Sequence, residues 1–116
     1  MPISARWRKL SALPAPRGRD ALPGVYELAD EEKQLIYIGQ SAKDVPNRIR
    51  QHLAKPSCTA ERAVYWRYAY SRVPQADEAA HIDAYRARHG DLPLCNRATP
   101  KPRAGKGRYL ERSRET

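Results

Sequence analysis

Two short runs, Gly24-Val25-Tyr26-Glu27-Leu28-Ala29 and Gln34-Leu35-Ile36-Tyr37-Ile38-Gly39, stand on either side of the polar stretch Asp30-Glu31-Glu32-Lys33. Both are rich in β-branched and aromatic residues, which suit a pleated, half-buried surface. The pair therefore reads as a β-hairpin. Because side chains alternate between faces, Val25 lies opposite Tyr26 and Leu28, and Ile36 and Ile38 lie opposite Leu35, Tyr37 and Gly39. With apolar groups on both faces, both strands should lie largely inside, beside flanking helices.

The sequence supplies them. Asp44 precedes Pro46, a residue suited to a first helical turn, and Ile49 and Leu53 fall on one face, predicting a helix over Pro46–Ala54. After the break at Lys55-Pro56-Ser57, the run Ala63–Tyr70 alternates Val64, Trp66, Tyr68 and Tyr70 on one face and predicts a third strand. Pro74 opens a second helix, whose apolar positions Ala79, Ile82, Ala84 and Tyr85 recur until Gly90 ends it. A loop or turn of helix through Leu92, Pro93 and Leu94 follows. The order ββαβα gives an α+β fold: a small three-stranded antiparallel sheet flanked by helices.

The chain has 116 residues, room for one ordinary domain, and its 41% apolar content allows only a modest core. The net charge of +9 is uneven along the chain. Residues 1–19 hold five basic residues and no acid, residues 97–116 seven basic residues and two acids, and the middle ten basic residues and eleven acids. The contributions are thus +5, +5 and −1. Four prolines and Gly18 before Gly24 favour an extended arm, with order beginning near Leu22. The breaker-rich run Pro100–Arg108 reads as a mobile tail. The expected organisation is a basic arm over residues 1–21, a folded domain over 22–96 and a basic tail over 97–116.

Two cationic ends on a near-neutral body point to a polyanion, nucleic acid before acidic lipid, and neither end shows the amphipathic helix that membranes favour. No apolar stretch resembles a signal peptide or a membrane span, so a cytoplasmic protein is expected. Cys58 and Cys95 have no partner at zinc-ligand spacing and read as free thiols.

The two halves of the hairpin also carry a paired signal. Gly24-Val25-Tyr26 is followed, eleven residues on from tyrosine to tyrosine, by Tyr37-Ile38-Gly39. Arg48 and His52 come next, one helical turn apart, then Glu78 at the opening of the second helix and Asn96 after Leu92-Pro93-Leu94-Cys95. In this order the chain resembles the GIY-YIG nuclease superfamily over roughly residues 24–96, with Val25 standing where the motif has isoleucine. The interval from Tyr37 to Arg48 is one residue longer than usual there, which leaves Arg48 and Arg50 as rivals for the phosphate; the four-residue step to His52 favours Arg48.

The resemblance implies a metal-dependent endonuclease acting on nucleic acid, DNA favoured over RNA, with Tyr26, Tyr37, Arg48, His52, Glu78 and Asn96 as its site. Such chemistry needs a deprotonated water in line with the leaving oxygen and positive charge where negative charge grows. Glu78 offers a hard oxygen for Mg²⁺ or Mn²⁺. Arg48 offers paired N–H donors for phosphoryl oxygens. A motif tyrosine, Tyr26 before Tyr37, is the base or its positioner, provided that nearby cationic charge lowers a phenol pKa of about 10. His52 assists as base or phosphate ligand, and Lys43 is a further phosphate contact. Trp66, Tyr68 and Tyr70 read as core rather than as a stacking platform, and His81 and His89 as surface. The competing reading is a non-catalytic nucleic-acid-binding module on the same fold.

Overall fold

The computed structural model describes Ile3 and residues 5–98. Its elements are β1 (Arg8–Lys9), a 3₁₀ turn (Leu10–Ala12), β2 (Gly24–Ala29), β3 (Leu35–Ser41), α1 (Val45–Leu53), α2 (Cys58–Arg62), β4 (Tyr65–Tyr70), α3 (Pro74–His89) and α4 (Leu94–Ala98). None of these helices is long and apolar enough to cross a membrane.

The fold is α+β, but the sheet has four antiparallel strands rather than three, in the order β1-β4-β2-β3. The additional strand comes from the segment read as an extended arm. Arg8 and Lys9 pair with Trp66 and Tyr65, and Leu10 donates its N–H to Val64. Two residues are too few to show a period, so the sequence carried no strand signal there. Tertiary contacts hold them. The Arg8 guanidinium lies 4.5 Å above the Trp66 ring and reaches Asp20, which also accepts from the Tyr68 hydroxyl. Of the charge assigned to the N-terminal end, Arg8 is thus engaged in the fold.

The β2–β3 hairpin closes through Asp30, whose Oδ1 accepts the N–H groups of Glu32 and Gln34, while Lys33 takes a left-handed conformation at φ 63°. A register shift at Leu28/Ala29 leaves Ile36 as an extra residue.

Register separates two faces. Tyr26, Leu28, Tyr37 and Trp66 form one core with Val45 and Ile49 of α1 and Cys95 of α4. Val25 and Ile38 form the other, against Ile3 and against Ile82 and Tyr85 of α3. The helix boundaries match the cap residues. Asp44 accepts from the Asn47 N–H at the start of α1, and Gly90 ends α3 at φ 85°.

The cysteines are not free thiols: Cys58 on α2 and Cys95 on α4 form a disulfide, with Cα atoms 5.5 Å apart. They are 37 residues apart in sequence, and α2 itself carried no apolar period, so nothing local announced that they meet. The segment after Leu92 is a helix through Ala98, so the region read as tail begins inside α4. The rest of that tail lies outside the described residues.

Candidate active site

The two glycines of the paired signal have separate physical reasons. Gly24 sits between β3 and β4, and a Cβ there would lie 2.3 Å from the Ala69 carbonyl oxygen, so any side chain would force the strands apart. At Gly39 a Cβ would lie 2.6 Å from the Tyr26 hydroxyl and 2.8 Å from Cε2 of Tyr37. The Tyr26 ring therefore crosses β3 at the one position without a side chain. Its hydroxyl is carried toward the sheet edge.

Tyr26 and Tyr37 stand with ring centroids 6.2 Å apart, and the His52 imidazole packs on Tyr37 at 4.8 Å. Both phenols are almost wholly buried, at 1% and 5% exposure. The Tyr26 hydroxyl feels the charges of Tyr37, Arg48 and Glu78, and that of Tyr37 feels Glu78 and Arg48. Glu78, from α3, is itself buried at 7% exposure. It lies four residues after Pro74, on the same helix face. Pro74 lines a cleft of about 510 Å³ with Gln40, Ser41, Ala42, Arg48 and residues 73–76. A second depression, sharing Ser41, Ala42 and Arg48, continues along Lys43, Asn47 and Gln51. The two tyrosines, Arg48, His52 and Glu78 thus converge on one region.

Arg48 and Arg50 diverge. Arg50 donates from Nη2 to the Pro14 carbonyl at 2.6 Å and ties α1 to the N-terminal segment. Arg48 is exposed in the cleft wall and is the guanidinium that the tyrosines and His52 feel. Asn96 does not face the cleft with its amide. Its Oδ1 accepts from the Ile38 N–H at 2.9 Å and its Nδ2 donates to the Ile38 carbonyl at 3.0 Å.

The electrostatics change the reading of the tyrosines. Burial is the largest influence on Tyr26 and pushes its phenol far above the ordinary value. Tyr37 and Glu78 add to this, and Arg48 opposes it without prevailing. Tyr37 is also raised, by burial first and then by Glu78. Cationic charge is present as the sequence suggested, but desolvation outweighs it. His52 moves the other way: burial first, then Arg48, hold its imidazole below the usual 6.5. It is therefore neutral at neutral pH. Its Nε2 is buried and without a hydrogen-bond partner.

A stability consequence follows for His52. An imidazole whose folded pKa is depressed binds fewer protons folded than unfolded across the interval below 6.5, so stability falls as pH drops through it. His81, also depressed mainly by burial, has the same sign. Urea midpoints should therefore decline from pH 8 toward 5.5, and His52→Gln should flatten that decline. An unchanged slope in the variant would show that His52 does not titrate as its surroundings require.

The aromatic stripe of β4 divides. Trp66 is core as expected and Tyr68 is half-buried, but Tyr70 is 58% exposed. His89 is exposed as read, whereas His81 is half-buried on the wall of a separate cavity of about 160 Å³ beside the Glu27–Arg67 ion pair. Gln40 was missed by the sequence reading: its Oε1 is buried and unpartnered on the cleft side. A glutamine following a glycine carries no distinctive signal.

The donor set suits a hard divalent cation. No group of three or more His, Cys, Asp or Glu side chains gathers among the described residues. One buried carboxylate beside a cleft matches Mg²⁺ or Mn²⁺, which keep several waters and accept substrate phosphate as a ligand.

A family model described as the GIY-YIG catalytic domain matches residues 22–87. No curated protein matches the chain.

Proposed function

The chain belongs to the GIY-YIG family of nucleases, and on that premise we propose that it is a metal-dependent endonuclease hydrolysing phosphodiester bonds, with DNA its favoured substrate. The observation that carries the reading is that two buried tyrosines lie close enough to feel the charges of Glu78 and of Arg48, and that Arg48 stands in the wall of the cleft.

Each group has a role its surroundings suit. Glu78 would hold Mg²⁺ or Mn²⁺, which when bound supplies Lewis-acid stabilisation of the phosphoryl oxygens. Arg48, exposed in the cleft wall, grips the phosphate through paired donors and answers the charge that grows there. The raised phenols of Tyr26 and Tyr37 keep their protons at neutral pH and orient the attacking water as hydrogen-bond donors. His52, neutral at neutral pH, acts through its stacking on Tyr37, which couples it to the tyrosine pair. Lys43, beside Arg48, extends the positive wall.

The test is incubation of the full chain, purified free of contaminating nuclease, with labelled single-stranded, duplex and branched DNA and with RNA, in Mg²⁺, Mn²⁺ or chelator. Cutting of at least one DNA, abolished by chelator, is expected. Binding without cutting of any substrate in either metal would instead favour a non-catalytic nucleic-acid-binding module.

A further inference from the structure

The region matched to the family ends at residue 87, yet α4, which follows it, is tied to the site by two adjacent residues. The first tie is polar. β3 is an edge strand, and one carboxamide, that of Asn96, satisfies both the N–H and the carbonyl of Ile38 as a neighbouring strand would. Ile38 stands between Tyr37 and Gly39, the residue over which the Tyr26 hydroxyl lies. The backbone that Asn96 grips is therefore the one that sets both tyrosines. The second tie is covalent. Cys95 is fully buried in the core shared with Tyr26 and Tyr37, and its disulfide fixes it to α2.

We propose that the Cys58–Cys95 disulfide is a positioning element of the site: by fixing α4 it keeps Asn96 on Ile38 and so holds the β3 backbone under Tyr26 and Tyr37, making turnover depend on thiol state. The proposal rests on the nuclease reading above for its rate measurement, but not for its structural one. Cys58 is half-buried whereas Cys95 is enclosed, so exchange begins at Cys58. A thiolate of a small dithiol attacks Sγ of Cys58, forming a mixed disulfide and breaking the bond to Cys95, which leaves as thiolate and takes up a proton. The reductant's second thiolate then displaces Cys58, which is protonated in turn. Two electrons and two protons pass to the protein, and the dithiol becomes a cyclic disulfide.

A purely structural staple would lower stability without altering a site that remains folded, so the test compares states at a temperature where circular dichroism shows both to be folded. Oxidised and dithiothreitol-reduced full chain are assayed for kcat and KM, and for hydrogen exchange at the Ile38 amide against the Leu28 amide of central β2. Reduction is expected to lower kcat at least tenfold with KM little changed, and to speed Ile38 exchange at least tenfold more than Leu28 exchange, whose own increase reports the general loss of stability. Asn96→Ala should be slow when oxidised, with reduction then changing its kcat less than twofold. Thiol titration showing two free thiols after oxidation would overturn the proposal, as would equal kcat and equal Ile38 exchange in the two states. If the oxidised chain cuts nothing, the nuclease reading fails by itself, and Ile38 exchange still decides whether the clamp exists.

Discussion

Replacing Arg48 by Ala, or Glu78 by Gln, is expected to lower the rate of metal-dependent cutting by on the order of 10²-fold or more while leaving nucleic-acid affinity largely unchanged. On the proposed function, ground-state attraction would come from charge spread over the chain, whereas one guanidinium and one carboxylate would matter most as charge develops on the phosphoryl group. The two variants test different things. Arg48 is exposed, so its loss removes donors without opening the core. Glu78 is buried, and Gln preserves its shape while removing the charge that suits a hard cation. Raising Mn²⁺ should partly rescue Glu78→Gln and should not rescue Arg48→Ala. Single-turnover cleavage beside equilibrium binding measures both quantities. Wild-type cutting by either variant would remove that residue from the mechanism.

Where the candidate residues fall could largely be read before the fold was known, for a definable reason. Tyr26, Tyr37, Arg48 and Glu78 lie on elements whose periods and caps are local: strand alternation, Asp44 before α1, Pro74 opening α3. What local pattern cannot carry is a balance between distant groups. Cationic charge beside Tyr26 was foreseeable from Arg48, but that burial outweighs it depends on how α1 and the sheet close around the ring. Asn96 illustrates the same limit. Its position in the chain suggested a site residue, yet its amide is spent on the Ile38 backbone, a pairing that exists only because β3 has a free edge. The fourth strand and the disulfide were hidden for kindred reasons. Arg8 and Lys9 are recruited by Trp66 and Asp20 rather than by their own propensity, and Cys58 and Cys95 meet only after α2 and α4 have packed.

The disulfide also carries the largest expected effect on stability. It closes a loop spanning 37 residues of sequence, and restricting the unfolded chain to that extent stabilises the fold by about 4 kcal/mol on the chain-entropy scale. A domain of this size has only about 5–15 kcal/mol in total. Its core is small and split between two faces, so little else compensates. The paired substitution Cys58→Ser and Cys95→Ser should therefore lower Tm by roughly 15 °C or more. It should do so with or without reductant, whereas the wild type should fall by a similar amount only when reduced. Substituting Cys95 alone adds a separate cost, since Ser in that fully enclosed position needs a hydrogen-bond partner. Cys58→Ala, which leaves Cys95 as a small buried thiol, isolates the loss of the crosslink. Thermal unfolding of oxidised wild type, reduced wild type and Cys58→Ala, each at matched pH, measures that loss. Coincident melting of all three would mean that the crosslink contributes nothing to the folded state, and that α4 is held by Asn96 and the burial of Cys95 alone.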